Sequence, residues 1–421
     1  MINPLACLIR IACVACCVAT STAAFAEDVP TKKIELGGEL RLRGETLVNL
    51  NSFMPGRTAV EDDAFVLLRA RIHLDAKPIA GLRVFIQPQF SRTFAQEEST
   101  IANGTALDDL DLHQAFLDLP AIGGSPLSLR LGRQEFAYGD GRLVGDFGWS
   151  NIGRSFDAVK ATLKFDHAWV DGFASWIQRV GGNQYFGGLY GHVDLTDTLA
   201  EEPYALVLVD NDGGAGGGRL AVYTLGNRFV GTLGPWDFGI EAALQSGKSG
   251  GNTIFAYAGH GRGGYTFDTG WKPRLGVEYS LASGDSSPGV GRVTTFNNLF
   301  PTNHDKYGYM DVVGWRNIHD ASASFQCVPF KNFTTSLQYH AFLLAQPADG
   351  LYQASGAQVR AGAAGASRFV GHEVDLLAKY KLNQYANFLV GYSYFRAGKF
   401  LADTGTKRDA HFAYAQTQVS F

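Results

Sequence analysis

The chain has 421 residues, a formal charge of −4, 51 glycines and 12% aromatic residues. So mild a charge argues against a nucleic-acid partner. Beyond the N-terminal segment no run of about 18 apolar residues is available for a transmembrane helix. Long amphipathic helical periods are also missing, and a glycine-rich, aromatic-rich, helix-poor chain has the profile of an outer-membrane β-barrel.

Residues 1–26 read as an export leader. Arg10 precedes the apolar run "IACVACCVA", and small residues follow up to Ala24-Phe25-Ala26. That is an apolar core with an A-x-A cleavage site, so Glu27 is expected to begin the mature chain. Lipid attachment at Cys16 is the competing reading, but the residues before it fit such a site poorly. Removing Arg10 with the leader takes the formal charge from −4 to −5. Four of the five cysteines (Cys7, Cys13, Cys16, Cys17) leave with it. Cys327 then has no partner in its own chain in an oxidising compartment, and a small apolar filler is expected there.

The first mature segments alternate with a period of two. In "IELGGELRLRGET", Ile34, Leu36, Leu40 and Leu42 fall on one face and Glu35, Glu39, Arg41, Arg43 and Glu45 on the other. In "VLLRARIHLDA", Leu68, Ala70, Ile72 and Leu74 oppose Arg69, Arg71, His73 and Asp75. Next, Leu82, Val84, Ile86 and Phe90 oppose Arg83, Gln87 and Gln89. Successive strand side chains point to opposite faces, so each segment has an apolar and a charged side. A soluble sandwich would turn this row of arginines to bulk water, whereas a transmembrane barrel turns it into the lumen.

The stretch "GDGRLVGDFGWSNIGRSFD" (139–157) interrupts the alternation with five glycines around Arg142 and Arg154. It lacks G-x-x-x-x-G-K-[ST], and no strand-to-helix context supports a dinucleotide fingerprint, so a phosphate cradle is excluded. A solvated turn-rich loop and a charged segment folded into a pore are the readings that remain.

Alternation then resumes. Phe238, Ile240, Ala242 and Leu244 oppose Asp237, Glu241 and Gln245; Leu275, Val277, Tyr279 and Leu281 oppose Lys272, Arg274, Glu278 and Ser280. Val374, Leu376, Ala378 and Tyr380 oppose Glu373, Asp375 and Lys379. Segments 77–81 and 383–385 read as short turns, and 283–316 and 347–368 as long connections. The section "GAQVRAGAAGAS" within the latter has the composition of a lid or a mobile loop. The chain ends "HFAYAQTQVSF", alternating up to a terminal Phe421 that resembles the barrel-assembly signal. All this predicts an all-β fold: one domain over 27–421, an antiparallel transmembrane β-barrel of roughly 18 strands, an even number as bacterial barrels require.

Three segments carry a resemblance. "LRLGRQEFAYGDGRLVGDFGWSNIGRSFDAVK" (129–160), "YSLASGD…FNNLFPTNHDKYGYMD" (279–311) and "GHEVDLLAKY" (371–380) resemble the alginate export family of outer-membrane barrels. The resemblance implies a monomeric, AlgE-like porin in the bacterial outer membrane, its lumen electropositive and partly closed by inward-folded loops. It would pass an anionic polysaccharide outward by diffusion, with a periplasmic export partner and no cofactor. Arg133, Arg142, Arg154 and Asp157 match the motif's charged positions, and Glu135 and Asp140 match as arginine partners. Arg41, Arg43, Arg69, Arg71 and Arg83 are lumen candidates from alternation alone. Arginine forks onto carboxylates and stays charged, so rings of it suit a polymer bearing a carboxylate on every sugar. Interspersed acids would keep each transit site shallow, since conduction needs entry without trapping.

Uptake of small anionic or sugar solutes is the alternative function, because a fold does not fix its cargo. An enzyme on a barrel would need a nucleophile or paired-acid site. His113, His304, His319 and His340 are scattered with no serine motif among them, so no catalytic residues are assigned. His304, Asp305 and Asp311 have the spacing of no recognised metal site. A plugged adhesive barrel is the remaining reading.

Overall fold

The computed structural model describes residues 33–50, 62–95, 108–179 and 182–421. The leader and its cleavage site lie outside the described residues. Strands Lys33–Val48 (β1), Asp63–Ile79 (β2), Leu82–Phe94 (β3), Asp108–Leu119 (β4), Leu127–Gln134 (β5) and Phe156–Lys164 (β6) come first. Ala168–Arg179 (β7), Gly182–Thr196 (β8), Leu199–Asp210 (β9), Leu220–Leu233 (β10), Trp236–Ser249 (β11) and Asn252–Thr266 (β12) continue the wall. Arg274–Ala282 (β13), Ile318–Phe330 (β14) and Phe333–Leu344 (β15) follow. After a small hairpin of Gly350–Tyr352 (β16) and Gln358–Ala361 (β17), the wall finishes with Phe369–Lys381 (β18), Ala386–Ala397 (β19) and Ala410–Ser420 (β20).

Every wall strand pairs antiparallel with its neighbours in one 18-stranded sheet. The first and last strands close it, with register running from Glu39 opposite Ser420 to Val48 opposite His411. Phe421 seals the seam by exchanging backbone hydrogen bonds with Gly38, at 2.9 and 3.0 Å. Closure removes the unpaired edges that an open sheet would expose, which hydrocarbon does not tolerate. The section expected as a lid contributes β17 and pairs with β16.

The alternation sorts side chains by face. Leu225, Ile240, Val277 and Leu376 are half to two-thirds exposed on the outward face. Their strand neighbours Thr224, Glu241 and Asp375 are buried inside. Short turns such as 80–81, 234–235 and 331–332 gather at the end where β1 begins and β20 finishes, and the long connections 135–155, 283–317 and 345–368 lie at the other. In outer-membrane barrels short turns are periplasmic and long loops external, so the short-turn end is the periplasmic one.

The lumen has two tiers. In its outer half many inward positions are apolar: Phe65, Phe156, Phe186, Leu208, Val222, Ala256, Phe342 and Phe395 are all buried. They pack one core with Phe136, Tyr138, Leu143, Phe296, Met310 and Trp315 from the long loops. The sequence reading made the whole inward face polar. That holds for the periplasmic half, while the outer half combines buried apolar side chains with buried charged ones, because the loops bring both hydrophobic residues and backbone carbonyls inside to be covered.

Adjacent residues on β15 test this sorting. Leu337 faces outward and Ser336 inward. Leu337→Arg should cost about 2–4 kcal/mol, the penalty for a cation on the lipid face near the midplane. Ser336→Arg should cost far less. Urea titration of protein refolded into lipid vesicles measures both.

Candidate functional site

Two loops fill the outer half of the lumen, and they fold as one body. Segments 135–155 and 283–317 form a parallel bridge at Val144 and Phe300. Around it, Gly145 N donates to Phe300 O at 2.8 Å, Phe300 N to Leu143 O at 2.9 Å and Thr302 N to Gly141 O at 2.8 Å. Further along, Trp149 stacks on His304 with ring centres 3.6 Å apart and 11° between planes. His304 Nδ1 is held by Asp311 at 2.8 Å. Glycine is required at two of these points. A Cβ at Gly145 would overlap the Thr302 side chain, and Gly153 combines φ +79° with Arg71 Nη2 only 2.7 Å from where its Cβ would stand. No L side chain fits either place without displacing a neighbour.

The plug is fastened to β1 and β2 by four arginines. Arg41 donates to Gly148 O and Ser150 O, both at 2.8 Å. Arg69, directly opposite Arg41 in the register, donates to the same two carbonyls at 3.1 Å. Arg43 donates to Trp149 O at 2.8 Å, and its guanidinium lies 3.6 Å from the Trp149 ring centre. Arg71 donates to Ile152 O at 2.9 Å and to Gln89 Oε1 at 2.6 Å. All four are buried. Glu45 holds Arg43 at 2.6 Å and Glu39 holds Arg69 at 2.6 Å. Hydrogen bonds from charged donors are each worth about 1.5–3 kcal/mol, and a desolvated cation–π contact adds about 2 kcal/mol.

Arg142 and Arg154 are also inside the lumen, and both are spent on the plug. Arg142 donates Nε to Asp140 at 3.0 Å, Nη1 to the Tyr307 hydroxyl at 2.8 Å and Nη2 to Glu278 on β13 at 2.6 Å. Burial works against ionisation of Asp140, yet the neighbouring Arg142 holds its carboxyl well below the usual range. Arg154 Nη1 donates to the carbonyls of Gly145, Phe300 and Pro301 at 3.0, 2.6 and 2.9 Å. Burial pulls its guanidinium down to about 10. Glu135 accepts from His113 at 2.6 Å and lies 3.6 Å from Arg71.

A second anchor sits across the barrel. Glu373 on β18, fully buried, accepts the Met310 amide at 2.9 Å. Asp375 lies two residues along the same inward face, and His340 on β15 bonds Asp320 on β14 at 3.0 Å. Glu373 and Asp375 pack under residues 308–310. Among the described residues no group of three or more His, Cys, Asp or Glu could hold a metal ion.

Below the plug the wall is polar and water-accessible. Arg83 lies in register with Asp118, Arg130 and Lys160 across β3 to β6. Arg83 forks onto Asp75 at 2.9 Å and reaches Asp118 at 2.8 Å. Arg130 takes Asp118 at 2.6 Å and lies 4.0 Å over the Phe116 ring. Lys160 meets Asp171 at 3.1 Å. Around the circumference Arg228 pairs with Glu202 at 2.6 Å and Arg274 with Asp237 at 2.6 Å. Arg262 on β12 is exposed beside them.

Arg133 and Asp157 depart from the expectation of a lumen position. They face each other across β5 and β6, joined at 2.8 Å, and Asp157 lies opposite the outward Trp176. Leu129, Leu131 and Arg133 share one parity, so the pair belongs to the outward face near the loop end. The same parity puts Arg130 in the lumen, where the sequence reading did not look. Alternation within "LSLRLGR" carried that signal. Tyr307, Trp149 and Glu278, which tie the loops together, had no local signal, because Arg142, the partner of Tyr307 and Glu278, and Arg43, a partner of Trp149, lie more than 100 residues away in sequence.

The model of the alginate export family matches residues 32–416. Among curated protein sequences none matches. Solved structures of Pseudomonas aeruginosa outer-membrane proteins share the fold. OprD is 13% identical with a TM-score of 0.59, covering 92% of this chain and 94% of its own. OccK3 (OpdO) is 12% identical with a TM-score of 0.60, covering 92% and 96%. OccK8 (OprE) is 11% identical with a TM-score of 0.60, covering 95% and 99%. At such identities the likeness speaks for the architecture alone.

Replacing Arg41 and Arg69 together with alanine removes every arginine donor to Gly148 O and Ser150 O. The barrel should stay folded by circular dichroism while the loop loosens. Chymotrypsin is then expected to cut the double variant after Phe147 or Trp149 and to spare the wild type. Single-channel current should rise several-fold.

Proposed function

This chain belongs to the alginate export family, and on that premise we propose that it is an outer-membrane channel for carboxylate-bearing solutes, with an alginate-like polyuronate as cargo. The observation that carries the reading is the row Arg83, Arg130 and Lys160 below the plug, continued by Arg228, Arg262 and Arg274. Arg83, Arg130, Lys160 and Arg274 each keep a carboxylate partner within about hydrogen-bond distance and remain open to water on the other side, whereas Arg228 lies close against Gly139 of the plug. A passing carboxylate can replace one acidic partner by another at little cost. Such partly neutralised sites attract an anion and release it again.

The arginines of β1 and β2 have a different task in this reading. Their donors are taken by loop carbonyls, so they set the shape of the passage and leave contact with solute to the row beneath. The leader 1–26 is removed on export, the mature chain acts as a monomer, and a periplasmic partner delivers the polymer to the short-turn end. A second reading, uptake of small organic anions, draws on the packed outer half of the lumen, which an extended polymer passes with more difficulty than a small acid.

Planar-bilayer recording separates the readings. The purified protein should conduct with anions preferred, and polyuronate added at the short-turn side should block the current where a neutral oligosaccharide of equal length does not. Arg83→Gln, Arg130→Gln and Lys160→Gln together should move the reversal potential toward zero. Block by small aromatic acids without block by polyuronate would favour uptake. Absence of current, or cation preference, would end the channel proposal.

A further inference from the structure

The outward face carries a construction that the transport reading does not use. Tyr279 on β13 hydrogen-bonds His319 Nδ1 on β14 at 2.6 Å. Tyr339 on β15 meets His372 Nδ1 on β18 at 2.7 Å, and Tyr392 on β19 meets His411 Nδ1 on β20 at 2.8 Å. In each case the tyrosine stands two residues before the one directly opposite the histidine: Leu281, Ala341 and Tyr394. The same diagonal pair is therefore built three times, on three consecutive pairs of strands joined by long loops. Diagonal neighbours on one sheet face are within reach of long side chains.

Each histidine lies within four residues of the loop end of its strand. Arg396, exposed, is directly opposite His372. Arg368 stands exposed at the same rim, its Nε donating to Leu344 O at 2.7 Å. Among the described residues, the outward positions of β13, β14, β15, β18, β19 and β20 hold no carboxylate. Glu278, Asp320, Glu373 and Asp375 all point inward. The carboxylate coupled to Arg396 is Asp409 in the loop before β20. It already accepts the Tyr394 hydroxyl at 2.8 Å and the Ala397 amide at 2.9 Å.

Polar and cationic groups on the lipid face are costly at depth and tolerated near the headgroups. Below the histidines the outward face returns at once to Ala321, Val374 and Ala413. The belt thus stands where the hydrocarbon ends. When the tyrosine hydroxyl donates to Nδ1, the ring hydrogen sits on Nε2 and is left to donate elsewhere. Neighbouring strands are about 4.8 Å apart and successive histidines are offset by at least two residues along the strand, so they stand about 12 Å from one another.

We propose that this rim binds the phosphate groups of a phosphorylated glycolipid in the outer leaflet, with His319, His372, Arg396 and His411 as donors and the three tyrosines holding the imidazoles in place. Basic clusters at headgroup level recognise anionic lipid in this way. The site would moor one sector of the barrel, β13 to β20, in its membrane and fix the depth at which the long loops emerge.

Delipidated protein in zwitterionic detergent tests the proposal. The probes are lipid A with its phosphates, the same lipid after dephosphorylation, and inorganic phosphate, with binding followed by native mass spectrometry. The phosphorylated lipid should be preferred roughly tenfold over the dephosphorylated one. His319→Gln, His372→Gln, Arg396→Gln and His411→Gln combined should bring that ratio close to one. Tyr279→Phe, Tyr339→Phe and Tyr392→Phe, which keep every cation, should reduce it in part, and this second set decides the matter if the first fails to fold. Equal binding of the two lipids, a preference that survives in a folded fourfold variant, or inorganic phosphate binding as tightly as the lipid would each overturn the assignment.

Discussion

Four guanidinium groups buried side by side on two adjacent strands are the constraint on which this molecule turns. A buried charge without partners is far more costly than any single packing contact. Arg41, Arg43, Arg69 and Arg71 have Glu39, Glu45 and the more distant Glu135 as acidic company. Most of the remaining donors are met by the carbonyls of Gly148, Trp149, Ser150 and Ile152 and by the Gln89 amide oxygen, while Arg41 Nε is buried without a partner. The loop needs the wall as much as the wall needs the loop, because a segment carrying Phe136, Leu143 and Val144 can bury them only inside the barrel. Both sides of that exchange are satisfied by one placement of residues 135–155.

From this follows the two-tier lumen. The loop pair 135–155 and 283–317 makes the outer half resemble the core of a soluble protein, with Phe296, Tyr307 and Trp315 buried. Glu278 and Glu373 fix the far side of the plug by taking Arg142 and the Met310 amide. The periplasmic half has no such covering and keeps its alternating acids and bases open to water. Two surroundings are thereby divided by position: most cations under the plug stay open to water, and cations beside it hold structure.

The architecture was largely legible in the sequence, because a period of two reports local geometry. The strands, most of their faces and the short turn at 383–385 come directly from it; the turn expected at 77–81 narrows to 80–81, because β2 runs on through Ile79. The arginines of the first three strands could be given a face, but not a partner, since Arg41 and Gly148 are 107 residues apart. Arg133 and Asp157 were placed in the lumen by motif where parity with Leu129 and Leu131 sends them outside. Arg130, of the opposite parity, was passed over for the same reason. The apolar outer tier was illegible in principle: an inward Phe156 or Phe342 looks like a lipid-facing residue until the loop that covers it is known. The glycines of 139–157 are explained only in part, by Gly145 against Thr302 and Gly153 against Arg71.

A disulfide between loop and wall measures the central claim directly. Ser91 on β3 donates to the Asn151 carbonyl at 2.9 Å, so Ser91→Cys and Asn151→Cys place two thiols on facing segments. In a Cys327→Ala background, the clamped loop predicts near-complete crosslinking in native membranes, read as protection from a water-soluble maleimide that reductant reverses. Two freely labelled thiols in a correctly folded barrel would show the loop away from the arginine wall and contradict the account.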